Sequence, residues 1–125
     1  MTQPHRPSLA TLREPRPTVT SFTSNLLKFL ETYGYDGVDL DWEYPGAPDR
    51  GGKEDNAKNY VLLVETMRKA LDNLGRKFRI MFTAPSSFWY LRAFDLPGII
   101  KHIDWINIVG CFATYCQDSP LTLLV

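Results

Sequence analysis

Residues Gly37 to Tyr44, GVDLDWEY, alternate without a break: Val38, Leu40, Trp42 and Tyr44 fall on one parity, Asp39, Asp41 and Glu43 on the other. A period of two is the pattern of an extended strand, whose successive side chains point to opposite faces. Pro45-Gly46 ends it. One face of this strand is therefore apolar and calls for a cover, while the other carries a column of carboxylates, each about 6 to 7 Å from the next. Any fold for this chain must bury the first row and accommodate the second.

The flanking segments follow the helical period. Phe22, Leu26, Phe29, Leu30 and Tyr33 recur at three- and four-residue spacing, which predicts a helix of about three turns from Ser21, stopped at Gly34. After a polar loop, Ala47 to Glu54, Asp55 or Asn56 is placed to cap a longer helix. Its apolar stripe is Ala57, Tyr60, Val61, Val64, Met67, Leu71 and Leu74, with Gly75 to close it. A strand from Phe78 to Thr83, an aromatic loop at Phe88-Trp89-Tyr90, a short helix from Leu96 to His102 and a strand from Asp104 to Val109 complete the order. Strands separated by helices imply right-handed crossovers, hence an α/β fold with about three parallel strands and covering helices. Three strands leave two apolar sheet edges, so the chain reads as a piece of something larger and is expected to aggregate or fold incompletely when isolated.

Composition narrows the function classes. The chain has 125 residues, room for one domain, and 44% hydrophobic residues, enough to fill a core. Its 14 Lys+Arg balance 14 Asp+Glu with no basic block, so neither nucleic acid nor an anionic membrane surface is an expected partner. No run approaches the roughly 18 apolar residues of a membrane span. The opening MTQPHRPSLATLREPRP has no apolar core of a signal peptide, which leaves localisation and oligomeric state open. With Pro4, Pro7, Pro15 and Pro17, residues 1–18 read as a flexible leader, residues 19–110 as the folded segment and residues 111–125 as a divergent tail. Cys111 and Cys116 both lie in that tail and cannot staple the remainder.

The acidic row carries the chemistry. Covered on both faces, a parallel strand would hold Asp39, Asp41 and Glu43 inside, and three neighbouring buried anions are costly without a metal, cations or shared protons. Burial and like charge both raise a carboxyl pKa, which is how a general acid is made. Glu43 is nearest the C-terminal end of the strand, where parallel α/β folds place ligands. Asp41 lies beneath it to orient a ligand, and Asp39 lies deeper, sharing a proton with Asp41. The plainer alternative is the wet face of an antiparallel strand with solvated acids. A calcium loop starting at Asp41 fails, because Pro45 would stand at a ligand position and Gly52 where the loop needs Glu. A metal-dependent sugar transferase built on the D-x-D pair stays open, although no Gly-rich phosphate cradle accompanies it. His5 and His102 have no ligand partners at suitable spacing, so no metal and no cofactor is expected.

The segment DGVDLDWEYP resembles the catalytic strand of family-18 glycoside hydrolases, the chitinases, whose signature is D-G-x-D-x-D-x-E followed by an aromatic residue and often proline. The resemblance runs from about Phe22 to Ile108: K-F-L-x-x-Y-G-Y-D-G before the strand, N-Y-x-x-L-V-x-x-M-R-x-A-L after it, then a strand ending T-A-P, then Y-L-x-x-F-D-L-P-x-I-I-K-H-I-D-W-I-N-I. It implies strands four to six of a (β/α)8 barrel, here partial. It further implies that Glu43 protonates the glycosidic oxygen and later activates water. Asp41 would stabilise an oxazolinium formed by the substrate's own 2-acetamido group, with Asp39 buffering it from below. Such substrate assistance dispenses with a second carboxylate across the bond and retains anomeric configuration. The implied substrate is chitin or another β-1,4-linked N-acetylglucosamine oligosaccharide.

Tyr44 stands where relatives carry a lining aromatic, although a strand-end aromatic is equally a core residue. Met81, Thr83 and Ala84 suit the interior of a strand, Met81 also a substrate wall. Phe88, Trp89 and Tyr90 suit stacking on sugar rings, Trp89 foremost, or packing. The family's sixth strand usually continues into M-x-Y-D, where the Tyr and Asp hold the acetamido group, but Cys111 and Phe112 stand there. That departure and the shortness against a closed barrel of about 250 residues imply an end from a truncated or misassembled reading frame. They also keep a second reading alive, a non-catalytic sugar-binding remnant.

Overall fold

The computed structural model describes residues 17–110 and 123–124. Along the chain run α1 (Pro17–Tyr33), β1 (Gly37–Leu40), a 3-10 turn (Pro48–Arg50), α2 (Asn56–Asp72), β2 (Arg79–Pro85), α3 (Phe88–Leu91), α4 (Leu96–Ile99), β3 (Trp105–Gly110) and β4 (Leu123–Leu124). The sheet order is β1-β2-β3-β4. β1 pairs parallel with β2 and β2 parallel with β3, in register Leu40 to Phe82 and Phe82 to Ile106. The expected α/β class with three parallel strands is therefore present, and β4 adds a two-residue antiparallel pairing at the end of β3. Of the leader expected at 1–18 and the tail expected at 111–125, only Pro17, Thr18, Leu123 and Leu124 fall within the described residues.

The core lies between the sheet and its helices. Ile80, Phe82 and Ala84 of β2 and Leu40 of β1 meet Tyr60, Leu63, Val64, Met67 and Leu71 of α2, all of them buried. Burying a side chain of this size stabilises by about 1.5 to 3 kcal/mol, so α2 anchors the unit. Gly34 and Gly75 take the left-handed conformation expected of helix stops, at φ 72° and 73°. Gly37 is required for another reason: a Cβ there would lie 2.4 Å from the carbonyl oxygen of Arg79, its partner across the parallel ladder.

Several expectations are corrected. α1 begins at Pro17 rather than Ser21, a favourable first position for proline. Its inward face is Val19, Thr23 and Leu30 with Phe22, Leu26 and Leu27 alongside, whereas Phe29 and Tyr33 are exposed. Those two rings pack on each other at 4.8 Å, and Phe29 also stacks on Tyr35 at 5.6 Å, outside the core. Phe88 to Leu91 form one helical turn rather than a loop, and α4 stops at Ile99, its start capped by Asp95 accepting the Gly98 N–H at 3.0 Å. β1 ends at Leu40 rather than Tyr44. The alternation continues beyond it, but strand pairing depends on a neighbour, and the ladder with β2 stops there.

At the N-terminal end of the sheet Arg68 of α2 joins three connections. It donates to the carbonyls of Phe78 at 3.1 Å and His102 at 3.0 Å and to the Asp104 carboxylate at 2.6 Å. Asp104 also accepts from Arg79 at 3.0 Å and from the Ile80 N–H at 2.9 Å. Partial burial works to raise its pKa, but the Ile80 N–H and both guanidinium groups outweigh that and bring it down to about 2.

Candidate active site

The acidic row leaves the C-terminal end of β1. Only Asp39 lies within the strand; Asp41 and Glu43 sit on the segment that departs from it. All three are exposed, contrary to the expected burial, because no described element covers that face of the sheet. Their apolar neighbours do point to the helix side. Val38 and Trp42 are half-buried against the core, and the Trp42 ring meets Tyr60 edge-on at 5.6 Å. The Tyr60 hydroxyl donates to the Leu40 carbonyl at 3.3 Å, fixing the last residue of the strand.

Asp39 is held by the neighbouring strands. The Thr83 hydroxyl of β2 lies 3.0 and 3.1 Å from its two oxygens, and the Asn107 side-chain amide of β3 donates to it at 2.7 Å. Met81, half-buried, is its register partner on β2, on the same face. Asp41 has a carboxyl pKa raised by partial burial first and by the negative charge of Asp39 second.

The wall beside Glu43 comes from two consecutive connections. Tyr44 stacks on Tyr90 of α3, with ring centroids 4.2 Å apart and planes 18° from parallel. The Tyr90 hydroxyl donates to Asp49 at 2.8 Å, tying α3 to the loop after β1. Burial raises the Tyr44 pKa, and the charge of Glu43 adds to it, so the phenol stays protonated beside that carboxylate. Trp89, next to Tyr90, is 60% exposed, with the Arg92 guanidinium 3.8 Å over its ring. The structure thus brings Asp39 and Met81 together on one face and sets Tyr44 against Tyr90. It shows no contact of Trp89 with the acids. Among the described residues no three His, Cys, Asp or Glu side chains converge as a metal site, and no helix is long and apolar enough to cross a membrane.

Sequence reasoning passed over Asn107 and took Thr83 for packing. The available signal was weak: each is a lone polar residue on the acid-facing parity of a strand otherwise apolar at that end.

Residues 10–120 match the family model for glycosyl hydrolases family 18. The chain belongs to that family. Among similar sequences, an endochitinase of Manduca sexta is 33% identical over 96 residues, covering 76% of this chain and 17% of that protein. A solved family-18 N-acetylglucosaminidase from Paenibacillus barengoltzii superposes with a TM-score of 0.73 at 25% identity, over 81% of this chain and 32% of that one. The Ostrinia furnacalis group IV chitinase in complex with allosamidin gives a TM-score of 0.66 at 26% identity, over 74% of this chain and 25% of that one. This family-18 chain therefore spans less than a third of each of these relatives, and its sheet is part of the family's barrel.

Proposed function

We propose that this chain carries the acid machinery of a retaining glycoside hydrolase acting on β-1,4-linked N-acetylglucosamine polymers. Glu43 is the general acid that protonates the glycosidic oxygen and then the base for water. Asp41 faces the 2-acetamido group and stabilises the positive charge that develops as its carbonyl attacks the anomeric carbon, with Asp39 behind it. Tyr44, Met81 and Trp89 line the sugar path. The observation that carries this reading is the placement of Asp39, Asp41 and Glu43 in sequence at the C-terminal end of a parallel strand, where barrels put their chemistry. The relatives named as chitinases, one of them holding allosamidin, support the substrate class.

The test is hydrolysis of a fluorogenic chitotriose glycoside by the purified chain beside Glu43→Gln, with its molecular mass followed by light scattering. Turnover that vanishes in the variant and is blocked by allosamidin supports the reading. A second reading, a non-catalytic oligosaccharide-binding remnant, draws on Cys111 and Phe112 standing where the family's sixth strand usually carries Tyr and Asp. It predicts calorimetric binding of chitotriose with no turnover from either protein.

A further inference from the structure

Glu43 stands past the end of β1, whose ladder with β2 stops at Leu40, so the strand pairing does not fix the segment that carries this acid. The two rings on either side of it do. Trp42 meets Tyr60 edge-on at 5.6 Å, on the core side. Tyr44 stacks on Tyr90 at 4.2 Å, with the ring planes 18° apart. A close aromatic pair adds to the area it buries a preferred ring geometry, so it constrains the plane of Tyr44 as well as its distance.

Tyr90 has support of its own. Its hydroxyl donates to Asp49 at 2.8 Å, and Arg50 stands 3.9 Å from the same carboxylate. The helical turn that carries Tyr90 runs on into Phe94, which is buried and packs on Phe82 at 5.0 Å and on Tyr60 at 6.0 Å. Tyr60 is thus common to both supports, since Trp42 and Phe94 each pack on its ring. A Cβ added at Gly46 would lie 3.3 Å from the Ala93 Cβ, so the turn after Tyr44 runs close against the residues that follow α3.

We propose that Tyr90 is a positioning residue for Glu43: it holds the Tyr44 ring, and through that ring the backbone of the acid one residue before it. The connection after β2 thereby sets the placement of an acid carried by the connection after β1. This rests on the hydrolytic reading of Glu43 and adds to it a residue from a different βα connection.

The test is nitrogen NMR relaxation of the backbone amides in the full chain, for wild type, Tyr90→Leu, which removes the ring, and Tyr90→Phe and Asp49→Ala, which keep the ring and lose the hydroxyl's hold. The order parameters of Glu43 and Tyr44 are expected at about 0.85 in wild type and below about 0.6 in Tyr90→Leu. The other two variants are expected between these values. The α2 amides of Val64 and Met67 are expected to hold throughout, because their core does not include Tyr90. Unchanged values at Glu43 and Tyr44 in Tyr90→Leu overturn the proposal, and so does a fall spread equally over α2, which is general loosening. Where Tyr90→Leu loses cooperative unfolding, Tyr90→Phe and Asp49→Ala decide, and wild-type values in both overturn it. In a chain that turns over chitotriose glycoside, Tyr90→Leu is expected to lower kcat by about 100-fold, the cost of an acid displaced by about 1 Å, and to change KM less. Turnover that needs Glu43 but survives Tyr90→Leu overturns the positioning role and leaves the hydrolytic reading standing. Relaxation needs no turnover, so a local fall in a chain that hydrolyses nothing upholds the positioning role while rejecting the hydrolytic one.

Discussion

The side-chain amide of Asn107 on β3 reaches across the face of β2 to donate to Asp39 on β1 at 2.7 Å. Neighbouring strands lie about 4.8 Å apart, so in a flat sheet side chains two strands apart stand parallel and separated. Contact between them requires the two side chains to lean toward each other over β2. Polar groups from three strands thus gather around one carboxylate.

Removing the terminal acid should separate chemistry from folding. Glu43 is exposed and has no part in the buried core. Glu43→Gln is expected to lower turnover of a chitotriose glycoside by at least about 100-fold, the usual contribution of a general acid, with an unchanged thermal midpoint. A variant that keeps most of its activity would sink the assigned role.

Asp41 should weaken the fold as it ionises. Its folded-state pKa is raised, so the folded chain holds that proton more tightly than the unfolded chain, and the stability this lends declines as pH rises through the two values. Asp41→Asn is expected to raise the melting temperature at pH 7, the gain disappearing below about pH 4 where Asp is protonated anyway. Paired melting curves across pH 3 to 8 check the sign; a gain that is constant with pH contradicts it.

Asp104 works in the opposite sense. Its pKa of about 2 lies below the unfolded value, so its contribution is complete above about pH 4 and fades as pH falls toward 2. With a side chain only 16% exposed, Asp104→Asn is expected to cost on the order of 2 kcal/mol at pH 7 and progressively less in acid. Urea unfolding at pH 7 and pH 3 measures both.

Thr23 buries its hydroxyl on the inner face of α1 with no hydrogen-bond partner among the described residues. A buried polar group left unpaired costs about 1 to 3 kcal/mol, and a methyl of the same shape removes that cost. Thr23→Val is expected to stabilise by about 1 kcal/mol, seen as a higher urea midpoint at constant slope. A lower midpoint would place a donor or acceptor against that hydroxyl.

The order of strands and helices, the glycine stops at 34 and 75, the inward stripe of α2 and the in-out parity of Val38 to Tyr44 were legible because each depends on a local period or a local backbone conformation. Properties set by neighbours were not. β1 ends where its ladder with β2 ends, although the alternation runs on. Phe29 and Tyr33 keep a helical spacing with the core residues, but the contacts of the Phe29 ring with Tyr33 and with Tyr35 lie outside it. The hold of Thr83 and Asn107 on Asp39 depends on which strands lie side by side, which no spacing along one strand encodes. The identities of the acids were readable as a motif; their exposure was not, because it depends on what lies over that face.

The Arg68 guanidinium knits the starts of β2 and β3 to α2 at the end of the sheet away from the acids. The footing and the acid-bearing end are therefore two separate storeys joined by the strands and by α2, which carries Arg68 toward one and Tyr60 toward the other. A descendant of this sequence that exchanges Glu43 for a silent residue, or recuts the Tyr44–Tyr90 wall for another guest, leaves its footing untouched. Drift on the upper storey alters what the scaffold does; drift at Arg68 decides whether there is a scaffold at all.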